Sequence, residues 1–305
     1  MQKTDHIWFD GKMVPWEQAQ VHVLTHTLHY GLGVFEGIRA YEGDDGKALI
    51  FRLAEHVDRL FGSAHILGIE IPFSRAEIVR ACVDTVRVNR LRAGYIRPIV
   101  FLGDGEMGLA AVHNPVRVAV AAWPWGAYLG EEGLVRGVRL RTASFQRMHV
   151  NTFMTKAKAV GNYVNSILAA IEARRAGYDE AMMLDTDGYV SECSGENLFI
   201  VRRGVVKTPP LTSVLEGITR DTVLVLLRDM GVHALEERFT RDEAYLADEA
   251  FMTGTAAEVT PVREIDDRSI GEGKPGPITR ALQDRYRAVV HGREAAYRSW
   301  VTVVE

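Results

Sequence analysis

Apolar and polar positions change period along the chain, and each period predicts its own kind of element. Short apolar runs flank Asp10-Gly11, a pair that readily supplies the backbone of a tight turn, so residues 7–14 are predicted to form a β-hairpin. In residues 53–67 apolar side chains recur every three or four positions until Gly68, which predicts an amphipathic helix. The chain therefore opens with mixed strand and helix.

Capping residues and composition mark the next elements. Ser74 and Glu77 form the pattern of a capping box, and the helix that they begin is predicted to end near Asn89. Residues 95–102 and 116–123 are short and rich in β-branched and aromatic side chains, which predicts strands. Because helices and strands do not alternate regularly, the first domain is predicted to be α+β.

Residues 123–132 contain one proline and two glycines, which break both periods and predict a connector between domains. The domains predicted on either side are residues 1–122 and residues 133–305. Beyond the connector, the pattern predicts an extended run at 138–145, a helix at 161–176 before Gly177, hairpins around Asp187-Gly188 and Arg203-Gly204, a helix at 220–230, a capping box of Thr240 and Glu243, a strand at 251–253 and a helix through residues 278–289.

Composition narrows the partners and the compartment that we expect. The 305 residues exceed what one core comfortably serves, and 47% hydrophobic with 25% charged residues is typical of globular proteins. A net charge of −4 gives no electrostatic reason to expect nucleic acid or a membrane surface as a partner. The sequence shows no apolar signal core at its start and no apolar stretch long enough to span a membrane. Its two cysteines, Cys82 and Cys193, are far apart in sequence, which suits a reducing compartment. A cytoplasmic location is therefore expected.

Lysine is scarce, which narrows the search for a nucleophilic amine. The chain has seven lysines, of which five lie in terminal, turn-like or loop segments: Lys3, Lys12, Lys47, Lys207 and Lys274. Lys156 and Lys158 remain. Their spacing does not choose between them, because residues two apart share one side of a strand but point in nearly opposite directions on a helix.

Eight segments, in one order along nearly the whole chain, resemble those of branched-chain amino acid aminotransferases. In the second half these are the lysine segment NTFMTKAKAVGNY at 151–163, the carboxylate segment 189–199, the phosphate loop 215–220 and the substrate-carboxylate turn 252–262. In the first half they are HYG at 29–31, VFEGIR at 34–39, YIRP at 95–98 and WPWGAY at 123–128. The resemblance implies an α+β, two-domain fold of the D-amino-acid aminotransferase-like type (PLP fold type IV), with the site at the domain interface and pyridoxal 5′-phosphate (PLP) as the cofactor.

Position by position, the resemblance implies partners for the cofactor. Lys158 is implied to carry PLP as a Schiff base and to move the proton between the substrate Cα and the cofactor's C4′. Glu192 is implied to contact the pyridine nitrogen, where a negative charge keeps that nitrogen protonated. Tyr163 is implied to hydrogen-bond the phenolic oxygen. The residues implied to bind the phosphate are Arg59, Ile218, Thr219, Thr255 and Ala256.

The resemblance also implies a substrate pocket with an apolar and a polar part. In the polar part, Tyr95 and the amides of residues 255–257, including that of Ala257, are implied to bind the α-carboxylate. Arg97 is implied to bind the distal carboxylate of glutamate or 2-oxoglutarate. The residues implied to line the apolar part are Tyr30, Phe35, Trp125, Tyr128 and Tyr163.

A neighbouring subunit is implied to complete this pocket. In the family Tyr30 and the loop at Gly108-Leu109 reach the site of the adjacent chain. We therefore expect a homodimer or a higher homo-oligomer.

The implied activity is a ping-pong transfer of the amino group from leucine, isoleucine or valine to 2-oxoglutarate. D-amino-acid and (R)-amine transaminases share the fold and remain the alternative. The chain departs from the commonest family pattern at Phe153-Met154, at Glu216 and at Cys193-Ser194. Substitutions beside the lysine and the phosphate can shift a pocket by small distances that affect substrate preference and cofactor affinity.

A distant alternative of another class is a metal-dependent hydrolase. His22, His26 and His29 have the spacing of ligands on one helix face. However, the segment between the first two is rich in β-branched residues and lacks the glutamate that a metalloprotease helix places beside its first histidine.

Overall fold

The computed structural model describes residues 2–111, 113–126 and 129–305. The strands are β1 (His6–Phe9), β2 (Lys12–Pro15), β3 (Gly33–Phe35), β4 (Ile38–Glu42), β5 (Ala48–Phe51), β6 (Gly94–Leu102), β7 (Val116–Trp123), β8 (Val138–Thr142), β9 (Glu180–Leu184), β10 (Val190–Cys193), β11 (Asn197–Arg202), β12 (Val205–Thr208), β13 (Ala234–Glu236), β14 (Glu249–Gly254), β15 (Glu258–Ile265), β16 (Arg268–Ser269) and β17 (Val301–Val303). The helices are α1 (His26–Tyr30), α2 (Leu53–Ile66), α3 (Arg75–Val88), α4 (Gly130–Arg136), α5 (Tyr163–Arg175), α6 (Ile218–Asp229), α7 (Arg241–Tyr245) and α8 (Pro277–Val290). None of the helices in these ranges is both long and apolar enough to cross a membrane.

The chain divides into two compact units that are not continuous in sequence. The first comprises Met1–Gly126, Ala157–Asn162 and Val289–Glu305, and the second comprises Ala127–Lys156 and Tyr163–Ala288. The sequence prediction had placed the two shorter segments of the first unit in the second domain. They join the first unit through backbone pairing with distant strands, which a local hydrophobic pattern does not reveal.

The first unit is built on an eight-stranded antiparallel sheet in the order β17-β5-β4-β6-β7-β1-β2, with β3 beside β6. Helices α2 and α3 cover one face of this sheet. Leu60 and Ile78 from the helices and Ile96 and Val118 from the strands are all fully buried in one core. Because side chains alternate along a strand, the neighbours of Ile96 face the other side of the sheet.

Local sequence patterns in this unit were interpreted correctly. The hairpin of β1 and β2 forms, and Asp10 and Gly11 have the positive φ angles of its turn (46° and 89°). At the start of α3 the Ser74 side chain accepts from the Glu77 amide, and the Glu77 carboxylate accepts from the Ser74 amide, as the capping box requires. Strands β6 and β7 lie within one residue of the predicted bounds.

The second unit contains a nine-stranded mixed sheet in the order β10-β9-β8-β15-β14-β11-β12-β13, with β16 beside β15. β8 runs parallel to β9 and β15, and β12 runs parallel to β13, while the other neighbours are antiparallel. Phe199 and Phe251 are paired across β11 and β14, and their rings stack at 4.9 Å between centroids. This sheet supports the segments that carry the predicted carboxylate and phosphate contacts.

Three expectations for the second half need correction. Thr240 caps α7 by position but makes no capping hydrogen bond with its side chain; its hydroxyl binds Asp242 instead, so the box with Glu243 does not form. The helix predicted from residue 161 begins at Tyr163, because residues 160–162 form a turn. Part of the predicted connector is helical, since α4 begins within it.

Candidate active site

The segment of Lys158 pairs with β3 in the first unit through backbone hydrogen bonds. The amide of Phe35 donates to the carbonyl oxygen of Lys158 at 3.1 Å, and the amide of Val160 donates to that of Gly33 at 2.9 Å. Residues 157–162 therefore lie alongside β3, with an antiparallel bridge to it. These hydrogen bonds fix the backbone of Lys158, which suits a residue whose side chain has to stay in place.

The two candidate lysines have different surroundings. Lys158 is half-buried, its amide donates to Ser63 Oγ at 3.0 Å, and its Nζ lies 5.1 Å from the centroid of the Phe35 ring. In the second unit, Lys156 Nζ donates to the carbonyl oxygen of Leu211 and lies 3.1 Å from Glu216 Oε1. Lys156 is therefore engaged by a carbonyl oxygen and a carboxylate of the second unit, whereas the amine of Lys158 lies beside an aromatic ring of the first unit.

Arg59 is held by a buried carboxylate rather than by solvent. Its Nε donates to Glu36 Oε1 at 2.7 Å and its Nη2 donates to Glu36 Oε2 at 2.9 Å. His56 Nδ1 is 2.7 Å from the same Oε2. Arg59, His56 and Ser63 lie three and four residues apart on α2, so one flank of this helix faces the segment of Lys158.

The electrostatics of this group follow from burial and charge. Burial by itself would raise the pKa of Glu36, but the Arg59 guanidinium and the hydrogen bond with His56 lower it below its ordinary value. Burial lowers the pKa of His56, and Glu36 only partly offsets that effect. At neutral pH the group is therefore an ionised carboxylate between a guanidinium and a neutral imidazole.

Four of the predicted substrate residues lie together in the first unit. The Arg97 guanidinium lies over the rings of Phe35 and Tyr95, at 4.7 and 5.3 Å from their centroids, and its Nη2 donates to the Tyr95 hydroxyl at 3.2 Å. The Trp125 ring meets the Tyr95 ring edge-on at 4.6 Å. A Cβ at Gly37 would lie 1.8 Å from the Tyr95 hydroxyl oxygen, so only glycine allows the tyrosine this position.

Tyr30 and Leu109 are exposed residues of the same unit. Tyr30 is 42% exposed and its ring packs against that of His26 at 4.6 Å, while Leu109 is 91% exposed. His26 Nε2 is 2.9 Å from the carbonyl oxygen of Gly108, which ties the loop of Leu109 to the helix of Tyr30. Tyr128, the remaining aromatic residue of the predicted pocket, lies outside the described residues.

The histidine spacing does not produce a shared helix face. α1 begins at His26, so His22 lies outside it. His29 Nε2 is 2.9 Å from the carbonyl oxygen of Val23, and His22 Nδ1 accepts from the amide of Leu24. The ring nitrogens of His22 and His29 serve local backbone contacts, and no metal-binding group of three side chains occurs within the described ranges.

In the second unit Glu192 is a buried carboxylate with several donors. Arg147 Nε donates to Oε1 at 2.6 Å, and the side-chain amide of Asn197 and the backbone amide of Leu215 each donate to Oε2 at 3.3 Å. The side chains of Arg147 and Glu192 are only 9% and 5% exposed. Ser166 Oγ accepts from the Arg147 Nη1 at 3.1 Å and fixes the guanidinium from behind.

The predicted phosphate residues Ile218 and Thr219 are buried at the start of α6. The N-cap of this helix is Gly217, which offers no side chain to its first turn, and the first amides of a helix have no acceptor within it. A Cβ at Gly217 would lie 1.9 Å from Asn197 Oδ1, so glycine is required here as well. The open first turn is suited to an anion.

The other predicted contacts of this unit lie at element ends. Residues 255–257, with Thr255, Ala256 and Ala257, form the tight turn between β14 and β15, and the hydroxyl of Thr260 donates to the carbonyl oxygen of Ala257 at 2.6 Å. Tyr163 is half-buried as the first residue of α5.

Comparisons with known proteins agree with one another. The family model described as "Amino-transferase class IV" matches residues 33–265. The chain belongs to the class IV aminotransferases. A branched-chain-amino-acid aminotransferase of Pseudomonas aeruginosa is 56% identical over 98% of this chain and 97% of that protein. The crystal structure of the Escherichia coli branched-chain amino acid aminotransferase is 46% identical, with a TM-score of 0.97, and the match covers 99% of this chain and 100% of that one. The crystal structure of the Thermobaculum terrenum enzyme in its PLP form is 38% identical, with a TM-score of 0.94, and the match covers 100% of both chains.

This class IV aminotransferase is therefore an enzyme of fold type IV that uses PLP, and the resemblance stated from the sequence is confirmed. The donor sets of each unit fit the cofactor. The second unit contains a buried carboxylate, a group that could pair with a protonated ring nitrogen, and helix amides without a side-chain cap, which could bind a phosphate. The first supplies Lys158 and the guanidinium of Arg59.

Sequence reasoning missed the residues that hold the predicted ones in place. Arg147 and Asn197 support Glu192, and Glu36 and His56 support Arg59. The presence of Glu36 and Asn197 inside the matching segments was one available clue. Arg147 lies outside those segments, and no pattern in the sequence indicated it.

Proposed function

We propose that this enzyme transfers the amino group of the branched-chain L-amino acids leucine, isoleucine and valine to 2-oxoglutarate, giving branched 2-oxo acids and L-glutamate. The observation that carries the chemistry is the burial of Glu192 among the donors of Arg147, Asn197 and Leu215. Three donors hold this carboxylate in one orientation, in which it can face a positive ring nitrogen. The relatives named branched-chain-amino-acid aminotransferases support the substrate class.

Lys158 is the lysine that holds the cofactor and the base of the reaction. When bound, PLP supplies a ring that accepts the electrons released at the substrate Cα. Lys158 takes the proton from Cα and returns one at C4′, which a neutral amine does best. Its backbone, hydrogen-bonded to the Phe35 amide and the Ser63 hydroxyl, keeps the amine directed while the proton moves.

The remaining cofactor contacts divide by chemistry. Glu192 pairs with the ring nitrogen, and Tyr163 donates to the phenolic oxygen. The phosphate is bound by Arg59 and by hydroxyl and amide groups at two turns, namely Ile218, Thr219, Thr255 and Ala256. Support comes from the uncapped first turn of α6 and from Glu36, which fixes the guanidinium plane of Arg59.

Substrate recognition combines an aromatic surface with cationic and amide donors. The α-carboxylate is held by Tyr95 and by the amides of the turn that includes Ala257. Arg97 binds the distal carboxylate of glutamate, and its stacking on Phe35 lets one pocket accept an aliphatic side chain as well. Trp125 and Tyr128 extend the apolar wall.

The enzyme functions as a cytoplasmic homodimer or higher homo-oligomer, in which Tyr30 and Leu109 serve the partner's site. Support comes from their exposure, 42% and 91%, which leaves both side chains accessible to a second chain.

The test is the visible absorption spectrum of the purified protein before and after L-leucine is added without an oxo acid. Wild type is expected to show the yellow band of bound PLP and to lose it as the pyridoxamine form accumulates. Lys158→Ala should abolish the conversion, whereas Lys274→Ala, which changes an exposed lysine, should not. Bleaching by D-leucine or an (R)-amine alone would reject the substrate class, and absence of any band after cofactor addition would reject the function.

A further inference from the structure

Lys156 holds together a loop that leads into the phosphate-binding end of α6. Its ammonium group donates to the carbonyl oxygen of Leu211 and pairs with the Glu216 carboxylate at 3.1 Å, so it joins both ends of residues 211–216. The family resemblance assigns no role to Lys156, and Glu216 departs from the commonest pattern of the phosphate loop. The ion pair therefore joins two charged residues that the resemblance leaves without a function.

Glu216 introduces a negative charge where an anion is expected. It immediately precedes Gly217, the N-cap of α6, and the amides of Ile218 and Thr219 follow. A carboxylate at this position favours the helix dipole, but it repels a phosphate bound to the same first turn. A neighbouring cation reduces that repulsion.

Exposure argues against a purely structural role for the pair. The side chains of Lys156 and Glu216 are 35% and 58% exposed, and ion pairs in water contribute little to stability. Their charges nevertheless act on a nearby dianion, because Coulomb interactions at the protein surface extend over several ångströms at moderate salt.

We propose that Lys156 is a positioning residue whose charge cancels that of Glu216 at the phosphate-binding end of α6, so that the pair sets the affinity for the phosphate of PLP. The inference rests on the proposed function, in which the first-turn amides of α6 bind that phosphate. It deepens that function, because a charge pair specific to this loop, and not only the family residues, controls how firmly the cofactor is retained.

The test is equilibrium dialysis of the full-length enzyme against a series of PLP concentrations, at low and high salt. Lys156→Ala should raise the dissociation constant about threefold to tenfold at low salt, because the carboxylate then acts on the phosphate without its nearby cation. Glu216→Ala should leave it unchanged or lower it. The double variant should return to within about twofold of wild type, and the differences should shrink at high salt.

Two controls separate phosphate recognition from loop structure. Pyridoxal, which lacks the phosphate, should bind the four proteins alike. Lys274→Ala breaks a comparable exposed pair with Glu272 (2.6 Å) in the same unit and should not change PLP binding. A change with pyridoxal as large as that with PLP would overturn the proposal.

The sign of the Glu216→Ala effect decides between charge and structure. If both single variants weaken PLP binding equally, and the double variant does the same at every salt concentration, the pair acts only as a tether and the proposal is wrong. If wild type and all variants bind PLP alike, the inference fails while the proposed function stands. If wild type retains no PLP, the proposed function itself fails, and the inference with it.

Discussion

Arg147 and Glu192 form a charge pair whose two side chains are only 9% and 5% exposed. Removing a carboxylate from water is costly unless donors replace the lost hydration, and here three N–H groups do so. The Ser166 hydroxyl also accepts a hydrogen bond from Arg147, which holds the guanidinium in its buried position. We therefore expect that removing one partner of the pair lowers the free energy of unfolding strongly.

Arg147→Met should lower the free energy of unfolding by about 3 kcal/mol, because it leaves the buried Glu192 without its cation. The measurement is urea unfolding at pH 7. Arg139→Met is the matched control: Arg139 pairs with Glu264 at 2.6 Å, but its side chain is 30% exposed, and a loss of about 1 kcal/mol or less is expected. Equal losses in the two variants would contradict the burial argument.

At this scale, the sequence indicated candidate cofactor residues but not the residues that hold those candidates in place. Glu192 and Lys158 lie in recognisable segments. Arg147 precedes Glu192 by 45 positions, and its pairing depends on how two distant stretches are brought together in the second unit. Neither spacing nor periodicity contains that information.

The helix α2 shows what periodicity predicts well and what it leaves open. Its apolar stripe, with Leu60 fully buried, was correctly predicted from the spacing. On spacing alone Arg59 belonged to the solvent face, yet its side chain is only 14% exposed. Arg59 lies on the flank between the apolar and polar faces of the helix, and its burial depends on the neighbouring β3–β4 segment, where Glu36 accepts its hydrogen bonds.

This flank should make the stability of the enzyme depend on pH. In the unfolded chain His56 protonates near its ordinary pKa of 6.5, whereas burial lowers the pKa in the folded state. The unfolded state therefore binds more protons as pH falls below about 6.5, and the free energy of unfolding falls. The pKa of Glu36 is also lowered in the folded state, from 4.5, so a further loss is expected below about pH 4.5.

His56→Gln should flatten the dependence between pH 7 and about pH 5.5, because glutamine can still donate to Glu36 but does not titrate. The measurement is the thermal unfolding midpoint at several pH values, with His65→Gln on the exposed side of α2 as the control. The control should keep the wild-type slope. A slope in His56→Gln as steep as that of wild type would exclude His56 as the titrating group.

At the scale of the whole molecule, the sequence predicted the α+β class and two-part organisation but not the path of the chain. Residues 157–162 and 289–305 join the first unit because Val34 bridges Ala159 and because β17 pairs with β5. β5 is fully buried, so the C-terminal strand covers an edge that would otherwise be open. Long-range strand pairing of this kind is set by tertiary contacts, and single-sequence patterns do not specify it.

One surface of the second unit supports the proposed homo-oligomer. On α5 the small residues Ala169 and Ala173 face the core. Four large aliphatic side chains at helical spacing face outward with 42–61% exposure, namely Val164, Ile167, Leu168 and Ile171. A helix that is apolar on both sides is expected where a second protein surface covers the outer one.

Ile167→Asp should therefore dissociate the oligomer, since a charge at the centre of the stripe would have to be buried without a partner. The measurement is molar mass by light scattering over a range of protein concentrations. Val135→Asp on α4 is the matched control, because Val135 is 73% exposed and lies outside the stripe; its oligomeric state should match wild type. Dissociation should also weaken transamination, because Tyr30 and Leu109 would no longer reach the partner's site. If Ile167→Asp keeps the wild-type mass at every concentration, α5 is not the interface and the exposed stripe requires another explanation.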